Sequence, residues 1–147
     1  MEKRHGGKRR MRKNIITGLL TLFTVVLLTG CGTRTMPLAE VFSQEQLEQQ
    51  TIQIVDWLNA EEYLQVYETF WEDMKQVLQA DELRSACVET FGGAGTFTRI
   101  ESTTVSGQKI DEGDYAVVMV KAQYEKQIVT FQVGYDADMQ VVGLYMK

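Results

Sequence analysis

The sequence predicts an α+β domain in which three N-terminal helices pack on one face of a curved, four-stranded antiparallel sheet, over residues 43–147. Three observations lead there. Apolar residues recur at three- and four-residue spacing from Leu47 to Phe91, the period of a helix face. After Gly95, β-branched and aromatic residues take over, with a two-residue rhythm in Val129, Phe131, Val133 and Tyr135. The breaks between these later segments are mostly short, which makes neighbouring strands antiparallel, and the helices are the apolar surface available to cover one face of the sheet.

Ahead of the domain, the first thirteen residues, "MEKRHGGKRRMRK", carry seven basic side chains against Glu2 alone. Ile15 to Leu28 is then apolar apart from small Thr and Gly residues. A charged entry followed by an apolar run of this length is the pattern of an export signal, and it is short for a spanning helix, which needs about 20 apolar residues. Residues 1–30 are therefore read as a signal peptide. Met11 is an alternative start, since "MRKNIITGLL" is itself a sufficient charged opening. Leu28, Thr29, Gly30 and Cys31 follow at once and resemble the lipobox of bacterial lipoproteins, in which the cysteine is diacylated and becomes the new N-terminus. That resemblance implies a membrane anchor through acyl chains on Cys31, on the extracytoplasmic face. The plainer alternative is an uncleaved signal anchor with an incidental cysteine. Residues 31–42, including Pro37, read as a lipidated tether with a reach on the order of 40 Å.

Removing the leader's seven bases and one acid from the chain's 15 and 20 leaves 8 against 19, a net charge of about −11. Such a domain is a poor partner for nucleic acid and is repelled by anionic headgroups, so its membrane contact is covalent rather than electrostatic. With Cys31 acylated, Cys87 has no partner for a disulfide.

Ser43 with Gln46 forms a capping-box pattern that opens the first helix at about Gln44, with Leu47, Thr51, Ile54, Val55 and Leu58 on one face. Asn59 with Glu62 repeats the pattern and is expected to open a second helix carrying Tyr63, Val66, Tyr67 and Phe70. "WEDMKQVLQ" is ambiguous, at most a turn of helix. Asp81 is expected to cap a third helix, with Leu83, Cys87 and Phe91 stacked along it and Gly92-Gly93 ending it in the left-handed region. The strands are then "GTFTRIESTTV", "DYAVVMVKAQY", "QIVTFQVGY" and "QVVGLYMK". Between them "SGQKIDEGD" is expected as a longer loop, Glu125-Lys126 as a tight hairpin and "DADM" as a turn.

This order of residues resembles the bacterial family called domain of unknown function 3887 (DUF3887), within the nuclear-transport-factor-2-like, or cystatin-like cone, superfamily. The resemblance runs from about Gln44 to the C-terminus. It is carried by Asn59, Tyr63 and Phe70, by Met74-Lys75 and Leu78, by Glu82-Leu83, by Gly95 and Phe97, and by "VTFQVGYDADMQVVGL". It implies a cone: a sheet bent around a pocket between helices and concave face. Members occur as lipoproteins or as modules attached to other domains. Such domains often carry a tryptophan near the position of Cys87, where this chain has a much smaller side chain.

Candidate sites are few. His5, the single histidine, lies in the leader, which removes Ser-His-Asp and Cys-His systems and the usual zinc sites from the mature chain. Cys87 sits mid-helix on an apolar face, so core packing explains it better than a reactive thiol. "GGAG" at 92–95 follows a helix and precedes a strand, the wrong order for a phosphate loop. Asp136, Asp138 and Gln140 have calcium-loop spacing, but Val141 and Lys147 stand where that loop needs glycine and an acid. Asp111, Glu112 and Asp114 read as a solvated charge run. No metal and no cofactor is expected.

The remaining candidate is the cone pocket itself, which Trp57, Tyr63, Tyr67, Trp71, Phe97, Tyr115, Tyr124 and Phe131 could line, although aromatic residues at these spacings are more often plain core. The expectation is a non-enzymatic, membrane-anchored binding domain for a small apolar ligand or an envelope protein. Two alternatives stand beside it. One is a small isomerase or dehydratase using an Asp/Tyr pair, with Asp56 and Asp73 the nearest carboxylates. The other is a module that pairs with a second copy through its sheet, giving a homodimer.

Overall fold

The computed structural model describes residues 36–147, in the order α1 (Gln44–Asn59), α2 (Tyr63–Glu68), α3 (Glu72–Val77), α4 (Ala80–Phe91), β1 (Phe97–Ile110), β2 (Gly113–Tyr124), β3 (Ile128–Tyr135) and β4 (Val141–Met146). The leader and the Leu28, Thr29, Gly30 and Cys31 group lie outside the described residues. The helices-then-meander order is the expected α+β arrangement, with strands in the order β1-β2-β3-β4 and every pair antiparallel.

α1 begins where the sequence places it, with the Ser43 hydroxyl accepting from the Gln46 amide at 3.4 Å. Its inward stripe is Leu47, Thr51, Ile54, Val55 and Leu58, all buried. The helix closes in a Schellman motif: Glu61 N–H donates to Leu58 O, Glu62 N–H donates to Trp57 O, and Glu61 takes the left-handed φ of 59°. Asn59 is therefore the last residue of α1 rather than the cap of the next helix. It lies four residues beyond Val55, on the same inward stripe, and its side chain turns to the sheet instead of to the chain ahead.

Among the described residues the helices number four, not three, because "WEDMKQVLQ" contains the short α3. The cap of α4 is Gln79 rather than Asp81, and the Glu82 carboxylate accepts from the Gln79 amide at 2.8 Å. Gly92 leaves α4 at a right-handed φ of −57°, so the left-handed glycine of this stretch is Gly95, at 83°. The turn is completed from across the fold, where Lys126 N–H donates to Ala94 O and Thr96 N–H donates to the Glu125 carboxylate.

The expected loop "SGQKIDEGD" is instead the end of a hairpin. β1 stays paired with β2 as far as Ile110 opposite Gly113, leaving only Asp111-Glu112 as the turn, with Asp111 at φ 52°. The polar residues there alternate as a strand does, but one face of the sheet is solvated, and this hides the period from an apolar pattern. The Glu125-Lys126 and Asp136–Met139 turns form as expected, the second closed by the Asp136 carboxylate accepting from the amides of Asp138 and Gln140.

On the helix-facing side, Ala116, Val118, Val120, Ala122, Val129, Phe131 and Val133 meet Leu47, Ile54, Leu58, Val66, Phe70 and Leu83 in one core. Each of the larger side chains contributes roughly 1.5–3 kcal/mol by leaving water. Register shifts in β1 and between Gly134 and Tyr135 bend the sheet towards these helices. The stretch read as tether joins this unit from Met36 onward. Met36 and Gly107 exchange two backbone hydrogen bonds, Phe42 is buried, and Leu38 and Ala39 pack on the core. Among the described residues, no helix is long and apolar enough to cross a membrane.

Candidate functional site: a cleft at the open end of the helix layer

Where α1 ends, the helices and the sheet separate and leave a cleft of 440 Å³. The end of α1 and its Schellman turn supply Asn59 and Glu61, followed by Tyr63 at the start of α2. α4 supplies Cys87, Val88 and Phe91, the turn before β1 supplies Thr96, and the sheet contributes Phe97 and Tyr124. The clasp of Glu125 and Lys126 on Ala94 and Thr96 holds the sheet side in place.

Its walls are aromatic. The Tyr124 ring lies 5.6 Å from that of Phe91 and 5.7 Å edge-on to that of Phe97, while Phe91 stands on Phe131 at 5.7 Å. Phe91, Phe97 and Tyr63 are only half-buried, so apolar ring surface faces the opening. The polar element is one pair: the Tyr124 hydroxyl donates to Asn59 Oδ1 at 2.5 Å. Asn59 Nδ2 is buried and has no hydrogen-bond partner. Burial pushes both the Tyr124 phenol and the Cys87 thiol up to about 12, and raises Tyr63 as well. At neutral pH the floor is thus uncharged, with a neutral phenol and a neutral thiol. At the mouth stand Glu61 and, beside Tyr63 and Leu64, Arg84, which forms no ion pair among the described residues.

Of the aromatic residues singled out in the sequence, Tyr63, Phe97 and Tyr124 meet in this cleft. The others do not. Phe131 is wholly buried behind Phe91. Trp57 packs against the core, and Tyr67 stands edge-on to Phe70 at 6.2 Å with its hydroxyl on Lys75 O. Tyr115 and Trp71 line a different groove, of 240 Å³, on the uncovered face of the sheet. Alternation gives the reason: Tyr115 is one residue out of phase with Ala116 and Val118 and so points away from the helices. Cys87 is buried as expected, its Sγ 3.8 Å from Met146 Sδ. Asp56 and Asp73 are exposed and line none of these clefts. Asn59 and Phe91 were missed as site residues. The available signal was an asparagine on the apolar stripe of α1, where a side chain must find a polar partner inside the fold. Among the described residues, no cluster of three or more Asp, Glu, Cys or His is placed to hold a metal.

A sequence model of the family "Protein of unknown function (DUF3887)" matches residues 52–144. The chain belongs to this family. The DUF3887 match begins at α1 and ends within β4, so it spans the residues that build the cleft. No curated protein matches the chain. A solved structure, the "NMR structure of protein from Ruminococcus gnavus ATCC 29149", is similar with a TM-score of 0.68 and 24% identity, covering 76% of this chain and 97% of that one. At this identity the likeness concerns the fold. The solved chain consists almost entirely of this fold.

Proposed function

We propose that this chain is a membrane-anchored, extracytoplasmic binding domain of the cone type, and that the cleft between α1, α4 and the ends of β1 and β2 receives a small apolar ligand. The observation that carries this reading is the cleft itself: 440 Å³, walled by half-buried aromatic rings and opening beside a buried apolar core. Cys87 supports it, since a small side chain stands where a larger one would close the space. A non-catalytic role is supported by the floor, where the phenol and thiol are held neutral and neither is paired with a base. The anchor rests on the basic leader, the short apolar run and Leu28-Thr29-Gly30-Cys31.

The test is the native mass of the protein extracted in detergent from its own membrane, set against its denatured mass. Mass lost on denaturation in the natural chain, and not in a Val88→Trp variant that plugs the mouth of the cleft, is the expected result. Equal native and denatured masses would sink the ligand reading. The denatured mass also tests the anchor, because diacylation at Cys31 adds a mass that Cys31→Ser removes.

A second reading follows from the uncovered face of the sheet, where Ile110 at the Trp71–Tyr115 groove and, further along, Met119, Ile128 and Tyr145 are exposed. This face suits an envelope protein or a second copy of the chain. Light scattering at high concentration decides the homodimer: a dimer that Met119→Lys separates supports it, and a monomer removes it.

A further inference from the structure

The polar floor of the cleft is incomplete in one direction only. Asn59 has four hydrogen-bonding capacities at its tip: an oxygen that can accept twice and an NH₂ that donates twice. The oxygen is used by Tyr124 at 2.5 Å, while the nitrogen is buried with nothing to donate to. An orphaned buried donor is costly, and native folds rarely keep one without a purpose or a water. A residue with no polar task would serve better as leucine here, four residues after Val55 on an apolar stripe. Around this donor the surfaces are apolar: Phe91, Phe97 and Tyr63 on the walls and Cys87 behind. At the mouth, the Glu61 carboxylate and the Arg84 guanidinium carry opposite charges, so the entrance itself selects neither sign.

Resting on the reading of the cleft as a ligand site, we infer that its ligand is an uncharged, largely apolar molecule bearing a carbonyl-type acceptor, and that Asn59 reads that acceptor through its amide nitrogen. Tyr124 is the positioning residue. By donating to Oδ1 it orients the amide with the nitrogen unpaired, and because that nitrogen is closed to solvent, the ligand reaches it by displacing the wall beside it. A carboxylate is the weaker candidate, because burying an anion against a neutral donor leaves most of its charge uncompensated.

The experiment uses residues 36–147, a compact unit with its own core. The isolated domain is titrated with 2-acetylnaphthalene and with 2-isopropenylnaphthalene, which differ by a carbonyl oxygen replaced with a methylene group. Amide and side-chain NMR signals are followed. The expected result is binding of both probes at Tyr63, Phe91 and Phe97, with the ketone roughly tenfold tighter and the Asn59 NH₂ signals shifted by the ketone alone. Asn59→Leu should reduce the preference to within about twofold while both probes still bind. Tyr124→Phe, which keeps the ring, serves as a second variant and should weaken the preference without abolishing binding. Equal binding of the two probes to the natural domain would overturn the acceptor inference and leave the cleft reading standing, with a water satisfying Asn59. Tighter binding of 3-methylindole, a donor with no acceptor, than of the ketone would also overturn it, by showing that the amide presents its oxygen. No shift in the cleft with any probe would overturn both.

Discussion

Glu61 occupies a position that favours glycine. The Schellman turn that ends α1 requires a left-handed residue, and a side chain there costs about 1–2 kcal/mol. Glu61→Gly removes that strain but gives the unfolded chain more freedom, so the net expectation is a gain of about 0.5–1 kcal/mol in urea unfolding. A loss of stability would mean that the carboxylate makes a contact worth more than the strain. Deeper in, Thr51 donates its hydroxyl proton to Leu47 O at 2.7 Å, so the Tyr135 hydroxyl, also 2.7 Å away, must be the donor to Thr51. Thr51→Val leaves a wholly buried phenol without an acceptor and should cost about 1–3 kcal/mol. Tyr135→Phe should cost about 1 kcal/mol, and the double variant less than the sum of the two, since the orphan disappears with its partner. Strict additivity in chemical denaturation would refute the pairing.

The strap formed by Met36 to Phe42 depends on one glycine in β1. A Cβ on Gly107 would lie 2.2 Å from Pro37 O, so any side chain there pushes the strap off the sheet. Gly107→Val should speed hydrogen exchange at the Met36 amide and cost about 1–3 kcal/mol, while amides in the middle of β2 keep their protection relative to global unfolding. Unchanged exchange at Met36 would mean the strap is not docked in solution. The same contact shortens the connection to Cys31, the residue proposed to carry the acyl chains. From Cys31 to the docked Met36 the chain reaches at most about 17 Å, well under half of the reach a tether running to Ser43 would have. With Cys31 acylated, the edge of the sheet at Gly107 is therefore held close to the bilayer. Elsewhere, the Glu125-Lys126 hairpin does more than reverse the chain. Its clasp on Ala94 and Thr96 sets the sheet wall of the cleft.

Taken together, the buried ionisable groups set how the domain responds to alkali. Burial raises Cys87 from 9.0 to about 12, and Tyr124 and Tyr135 from 10.0 to about 12. In each case the folded state holds its proton more tightly than the unfolded state. The stabilisation is therefore fully present below the unfolded values and is lost as pH rises through the folded ones. The unfolding midpoint should begin to fall above about pH 9, through Cys87, and fall more steeply between about pH 10 and 12 as the two tyrosines join. Cys87→Ala should delay the onset towards pH 10, and phenolate absorbance should show two tyrosines ionising only as the domain unfolds. Ionisation of all tyrosines near pH 10 in the folded domain would contradict this burial.

Periodicity is a local property, and the elements that depend on it were readable from the chain alone. The stripe Leu47, Thr51, Ile54, Val55 and Leu58, the alternation of β3, and the two short turns at Glu125-Lys126 and Asp136–Met139 stand where spacing and turn chemistry place them. Composition likewise set the acidity of the domain and left it without a histidine, the chain's one being His5 in the basic N-terminal stretch. The cleft was readable only in part. Tyr63, Phe97 and Tyr124 lie far apart in the chain and meet because α1 stops at Asn59 and the hairpin after β2 folds back on Ala94. Tyr115 and Phe131 carry the same chemistry, yet one faces away from the helices and the other lies behind Phe91, a difference of strand phase and depth that composition does not encode. The role of Asn59 depended wholly on the fold. Whether an asparagine caps a helix or holds a tyrosine is decided by which partner the folded chain brings within hydrogen-bonding reach, and here that partner is 65 residues away.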